Sequence, residues 1–162
     1  MKVLVDTNIM LEVILQRENY NVANQLLTAL SEGNHIIYMT VGGFYGMLFT
    51  VDKYFKKVMG MQEPLRTDTV RSVMTQVLAI VDVAGQDKQT LLNGIHDMNF
   101  KDLEDSCQHQ AAMKESCDYL LTFNVKDYSG AEIPVLTPQE FVNKIKTEYQ
   151  KTRFSAFTKR SD

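Results

Sequence analysis

Lys2-Val3-Leu4-Val5 runs into Asp6-Thr7-Asn8, and Tyr119-Leu120-Leu121 runs into Thr122-Phe123-Asn124, with Asp127 close behind. Each is a short apolar run, the pattern of a strand buried on both faces of a parallel sheet, and each stops on polar residues. In an open α/β sheet the residues just past the carboxyl ends of neighbouring strands converge on one crevice, so endings far apart in sequence can build one site. A third acidic cluster, Asp102-Leu103-Glu104-Asp105, lies between them in the chain.

Outward from these endings, strand and helix patterns alternate. Residues 2–6 read as a strand, and the dense apolar set Ile9, Leu11, Val13, Ile14 and Leu15 as a short helix entered at Asp6-Thr7-Asn8. Val22, Ala23, Leu26, Leu27 and Leu30 recur at helical spacing, with Gly33 as a stop. Residues 35–40 read as a second strand, 41–58 and 65–78 as helices, the latter with Pro64 near its start. Residues 79–83 read as a third strand closed by Gly85, 87–98 and 102–117 as helices, 119–122 as the fourth strand and 133–136 as a fifth. Thr137-Pro138-Gln139-Glu140 has the cap, proline and early acid of a final helix running to about residue 149. Such alternation means βαβ units, hence an α/β fold of three layers, α/β/α, with a mainly parallel central sheet.

The 162 residues suit one domain, expected over 1–150, followed by a basic C-terminal tail over 151–162. With 44% hydrophobic residues, 23% charged and 3 prolines, the composition is that of an ordinary globular chain. Asp6 and Asn8 interrupt any signal-peptide core, and no stretch approaches the roughly 18 apolar residues of a membrane span, so a cytoplasmic location without membrane contact is expected. Cys107 and Cys117 fit neither a CxxC nor a zinc pattern and read as buried small residues. The net charge is −3, so any nucleic-acid contact must come from a local patch. Lys144, Lys146, Lys151, Arg153, Lys159 and Arg160, interleaved with Tyr149, Phe154 and Phe157, offer either an RNA-contacting segment or simply a solvated terminus.

Carboxylates gathered at strand ends repel: two charges about 5 Å apart, at an effective dielectric of about 20, cost roughly 3 kcal/mol. Such a site calls for protons or a cation. Asp and Asn oxygens without nearby Cys or His are hard donors that favour Mg²⁺ or Mn²⁺, and such an ion suits hydrolysis of a phosphodiester. Local structural work is the competing reading. Asp6 can cap the first helix, Asp102 the later one with Asp105 in a capping-box-like position, and Asn124 to Asp127 can shape a turn.

Taken together, residues 3–9, Asp102-Leu103-Glu104-Asp105-Ser106-Cys107-Gln108 with Ala111-Ala112, and residues 117–128 resemble the PIN domain family. Residues 133–141 match its bacterial branch, which includes the VapC-type toxins. The resemblance covers the chain from Met1 to about Phe141. It implies a metal-dependent ribonuclease fold in which Asp6, Asp105 and Asn124 correspond to the metal-site positions, with Asp127 and Asp102 as auxiliaries. It also implies RNA as substrate, a homodimer, and an antitoxin-like protein partner. One position departs from the pattern. The family usually carries a helical Glu about six residues after a Ser or Thr; Thr40 is here, but Gly46 stands in the Glu position. Asp52, about six residues further on, is neither i+3 nor i+4 from it and is not expected to substitute. A catalytically degenerate domain that binds RNA or protein without cleavage is therefore the alternative.

Other chemistries fit less well. A haloacid-dehalogenase-type phosphatase needs a second Asp where Asn8 stands, and a receiver domain needs an acidic pair after the first strand. No GxGxxG or Walker A run occurs, and Gly42-Gly43 reads as a helix entry. His35, His96 and His109 lack metal-pair spacing. Phe44, Tyr45, Phe49, Tyr54 and Phe55 form a dense aromatic stretch, by default core and otherwise a dimer interface.

Overall fold

The computed structural model describes residues 1–158, with side chains described through residue 150. The basic tail expected over 151–162 therefore lies outside the residues whose side chains are described. β1 (Lys2–Val5) is the central strand, hydrogen-bonded in parallel to β2 (Ile36–Thr40) on one side and β4 (Tyr119–Leu121) on the other. β3 (Asp82–Ala84) extends the sheet beyond β2, and β5 (Val135–Leu136) extends it beyond β4. The order β3-β2-β1-β4-β5 makes the gap between β1 and β4 the point where the winding reverses. At such a switch point the two flanking connections leave in opposite directions and open a crevice at the strands' carboxyl ends.

Successive residues of β1 serve two cores, because strand side chains alternate between faces. Val3 and Val5 join one cluster with Leu26 of α2 (Tyr20–Glu32), Met47 of α3 (Val41–Lys57), Met74 of α4 (Leu65–Leu78) and Phe141 of α7 (Pro138–Thr158). Ile9 of α1 (Thr7–Ile14) joins the same cluster. Leu4 points the other way and packs with Leu120, Phe100, Tyr128 and the small Ala111 and Ala112 of α6 (Leu103–Lys114). Each fully buried Leu, Ile or Phe contributes about 1.5–3 kcal/mol, so double-sided burial fixes β1 at the sheet centre. The three-layer α/β/α architecture expected from the alternation is the one observed.

Two close approaches set the walls around the strand ends. α3 starts directly from β2: the Thr40 hydroxyl caps it by accepting from Gly43 N–H at 3.0 Å. A Cβ at Gly43 would lie 2.5 Å from Thr7 Oγ1, so only glycine lets α3 pass this close to α1. α5 (Lys88–His96) lies equally close to α6, where a Cβ at Gly94 would come within 2.7 Å of Cys107 Sγ. There the Ser106 hydroxyl donates to the Gly94 carbonyl at 2.8 Å.

Several boundaries differ from the sequence reading. The third strand is Asp82–Ala84, not 79–83, because α4 winds on past Leu78: the Ile80 and Val81 amides both donate to Val77 O, and pairing with β2 starts only at Asp82. α5 ends at His96 rather than 98, and α6 at Lys114 rather than 117, followed by Ser116 at φ 54°. α7 continues past residue 149 to Thr158. Cys107 and Cys117 are free thiols, and burial pushes the Cys117 thiol up to about 12. His109 is a core residue, stacked on Phe100 and held neutral by burial, with Nε2 accepting from Glu132 N–H. The aromatic stretch divides: Phe44, Tyr54 and Phe55 pack on the core, while Tyr45 and Phe49 stay exposed. Among the described residues no helix is long and apolar enough to cross a membrane.

Candidate functional site

Asp6 leaves β1 in an extended conformation (ψ 141°) and becomes the N-cap of α1, its Oδ1 accepting from Asn8 N–H at 3.3 Å. Its other oxygen, Oδ2, accepts from the Thr122 hydroxyl at 2.7 Å. Thr122 directly follows β4, and its Oγ1 also accepts from Asn124 N–H at 3.0 Å. One hydroxyl thus ties the ends of β1 and β4 together across the switch point. Asp6 and Thr122 are both buried, so this bond is shielded from water and fixes the carboxylate.

From the opposite wall, Asp102 caps α6 by accepting from the amides of Glu104 and Asp105 at 2.8 and 3.2 Å. The reciprocal half of a capping box is not formed. Asp105 instead accepts from the Tyr128 hydroxyl at 2.9 Å, because Tyr128, packed on Phe100, aims its hydroxyl at the start of α6. Asn124 O accepts from Asp127 N–H at 3.0 Å and opens the short 3₁₀ helix Val125–Tyr128.

These separate local roles converge on one space. Asp6, Asp105, Asn124 and Asp127 line a cleft of about 320 Å³, together with Asp102 and Glu104. Each local role foreseen for Asp6, Asp102 and the 124–127 turn exists, yet each leaves the side chain facing this cleft. Burial pushes the Asp105 carboxyl up to about 6; the Tyr128 bond opposes this, and the charges of Asp102, Asp6 and Asp127 add to it. The repulsion expected from gathered acids is therefore present, as an interaction among these named groups.

The donor set suits a hard divalent cation: the lining carries carboxylates and the amides of Asn8, Gln108 and Asn124, without His or Cys. Thr7 Oγ1, another cleft residue, is buried without a hydrogen-bond partner. Among the described residues, no three His, Cys, Asp or Glu side chains already stand close enough to grip one ion. Mg²⁺ is commonly held by one or two carboxylates and otherwise by water, a demand that the oxygen donors of this lining meet.

Gly46 borders the same cleft, on the α3 wall, and a Cβ there would meet nothing within 4 Å. Asp52 is turned away toward α4, where it pairs with Arg66 at 3.4 Å. Thr122 and Tyr128 support Asp6 and Asp105 without a local sequence signature. Thr122 shows only as the polar residue ending an apolar run, and nothing in the spacing signals that Tyr128 reaches back to Asp105.

The fold and cleft together define an open parallel α/β domain with an oxygen-rich acidic crevice at its topological switch point. The chain belongs to the PIN domain family: a family model described as PIN domain matches residues 2–126. It is 28% identical over 154 residues to Ribonuclease VapC1 of Aquifex aeolicus (strain VF5), covering 90% of this chain and 96% of that one. Its fold is similar to chains in two solved assemblies. One is VapBC2 from Rickettsia felis bound to a DNA fragment from their promoter, with TM-score 0.62 and 14% identity, covering 85% of this chain and 98% of that one. The other is VapBC-1 from nontypeable Haemophilus influenzae, with TM-score 0.61 and 16% identity, covering 86% and 99%.

Proposed function

We propose that this protein is a Mg²⁺- or Mn²⁺-dependent ribonuclease that hydrolyses RNA phosphodiester bonds, acting as the toxin of a toxin-antitoxin pair. The observation that carries the reading is the convergence of Asp6, Asp105, Asn124 and Asp127 on one cleft at the β1/β4 switch point. Similarity to Ribonuclease VapC1 along nearly the whole chain supports the substrate class.

In this reading Asp6 and Asp105 hold the ion, directly or through water, and Asn124 presents its amide to a water or to the scissile phosphate. When bound, the cation lowers the pKa of the attacking water and neutralises charge developing on the phosphate. Thr122 keeps Asp6 in one orientation, and Tyr128 does the same for Asp105. Asp127, on the exposed rim, accepts a hydrogen bond from water or a ribose hydroxyl. Lys101 and Lys126 border an adjoining cavity that shares Asp102 and Asp127, and supply the local positive charge that an overall negative chain needs to hold a polyanion.

Partners follow from the same similarity. The VapBC neighbours support an antitoxin protein as partner, and the exposed Tyr45 and Phe49 of α3 support a homodimer, tested by the mass of the purified protein in solution.

The deciding experiment incubates labelled single-stranded RNA and Mn²⁺ with the wild type and with Asp6→Ala and Asp105→Ala. Cleavage by the wild type alone supports the proposal; equal cleavage by all three means a contaminating nuclease and ends it. Gly46 motivates the second reading, a domain that binds RNA or protein without cutting. RNA binding that persists in both variants, without cleavage by any, supports that reading.

A further inference from the structure

The walls of the acidic cleft are unequal. Carboxylates come from the end of β1, the start of α6 and the turn after β4, whereas α3 contributes Gly46 and the hydroxyl-bearing Thr50. Beside the cleft lies an apolar pocket of about 450 Å³, faced by Leu91, Ile95 and Leu103. Three residues border both spaces: Gly46, Glu104 and Gln108. Glu104 and Gly46 therefore border the same two spaces from opposite helices, α6 and α3. The space beyond Gly46 is open, since a Cβ there has no neighbour within 4 Å.

Of the carboxylates lining the cleft, Glu104 is the one that also borders the space beside Gly46. Asp6 is held by Asn8 and Thr122, Asp105 by Tyr128, and Asp102 by the α6 cap. Asp127 lines the cleft and the adjoining cavity bordered by Lys101 and Lys126, but not the space beside Gly46. Glu104 has its amide fixed by Asp102, so its backbone is anchored, while its exposed side chain makes no hydrogen bond or ion pair among the described residues. Its longer stem reaches further than an Asp, and a rotamer change costs little at an exposed position.

We infer that Glu104, from the first turn of α6, supplies the cleft with the metal-directed carboxylate that Gly46 does not. The inference rests on the divalent-metal reading given under Proposed function. It makes the site a relocated acidic cluster rather than a depleted one: the carboxylate that would help hold the ion, directly or through a water, comes from α6 instead of α3.

Calorimetric titration of Mn²⁺ alone into the full chain tests this, using wild type, Asp6→Ala, Glu104→Gln, Gly46→Glu and the double variant Gly46→Glu with Glu104→Gln. The titrations are run at about 1 M salt, where the screening length of about 3 Å removes long-range charge effects. The expected result is a loss of about tenfold or more in Mn²⁺ affinity for Glu104→Gln, the scale typical of a group that supports a metal site. The loss should be restored in the double variant, where the carboxylate returns from position 46. Unchanged affinity in Glu104→Gln, with Asp6→Ala still abolishing binding, overturns the role of Glu104 alone. Absence of Mn²⁺ binding by the wild type overturns both this inference and the metal-dependent reading on which it rests.

Discussion

The Thr122 hydroxyl donates to Asp6 Oδ2 at 2.7 Å while accepting from Asn124 N–H at 3.0 Å, so one buried side chain positions candidate ligands from two strands. Thr122→Val keeps the shape and removes the hydroxyl. Leaving the Asp6 oxygen unsatisfied should cost about 1–3 kcal/mol of stability. RNA cleavage should fall about 10- to 100-fold, as for lost supports of metal ligands. Thr122→Ser should recover most of both, measured by chemical denaturation and by initial rates.

Asp105 carries a pH signature of opposite sign to an ordinary paired acid. Its carboxyl titrates near about 6 in the folded chain, against 3.8 as the ordinary value, because burial and neighbouring acids disfavour its charge. Below 3.8 the group is protonated in both states and costs nothing. Between about 4 and 6 the unfolded chain ionises first, so the folded state loses stability, and above about 6 the penalty is constant. Asp105→Asn retains an acceptor for Tyr128 and removes the charge. It should raise the apo Tm at pH 7 by roughly 2–4 °C, for a screened penalty of about 1 kcal/mol, with the gain vanishing at about pH 4. Saturating Mn²⁺ should raise the Tm of the wild type and not of this variant.

Gly43 and Gly46 sit one turn apart on α3 and should respond oppositely to alanine. At Gly43 the new Cβ would lie 2.5 Å from Thr7 Oγ1 and 3.1 Å from Thr40 Oγ1, and both neighbours are stiff β-branched residues. A net loss of about 1–2 kcal/mol is expected after the helix-propensity gain. At Gly46 nothing is met, so alanine should stabilise by about 0.5–1 kcal/mol. Urea denaturation of the two variants checks the pair; a stabilising Gly43→Ala would contradict the packing of α3 on α1.

Lys101 and Lys126 should act on binding rather than chemistry. Replacing both by alanine should raise the KM for single-stranded RNA with kcat nearly preserved. The salt dependence of log K should become shallower by about 0.7 for each phosphate no longer neutralised. Fluorescence anisotropy across a salt series reads this slope, and an unchanged slope would place the RNA path elsewhere.

Much of this molecule is written in local patterns. Val3-Leu4-Val5 and Leu120-Leu121 are readable as strands because burial on both faces demands continuous apolar residues. Asp6 and Asn124 are readable as converging because parallel strands bring their carboxyl ends to one edge, while Asp105 reaches the same cleft from the first turn of α6. The third strand starts later than its local pattern suggests, since Ala79, Ile80 and Val81 have strand-like side chains while their amides are captured by the end of α4. That competition depends on register against Tyr38, which no local window contains.

Residue order alone sets the alternation of elements, the acidic punctuation at the strand ends and glycine at position 46. Packing in three dimensions sets which acids are held in place. Hydrogen bonds from Thr122 to Asp6 and from Tyr128 to Asp105 join residues 116 and 23 positions apart. Such pairings arise from sheet order and helix packing, because the chain's energy depends on which side chains meet in space, and spacing along the sequence fixes that only within one element.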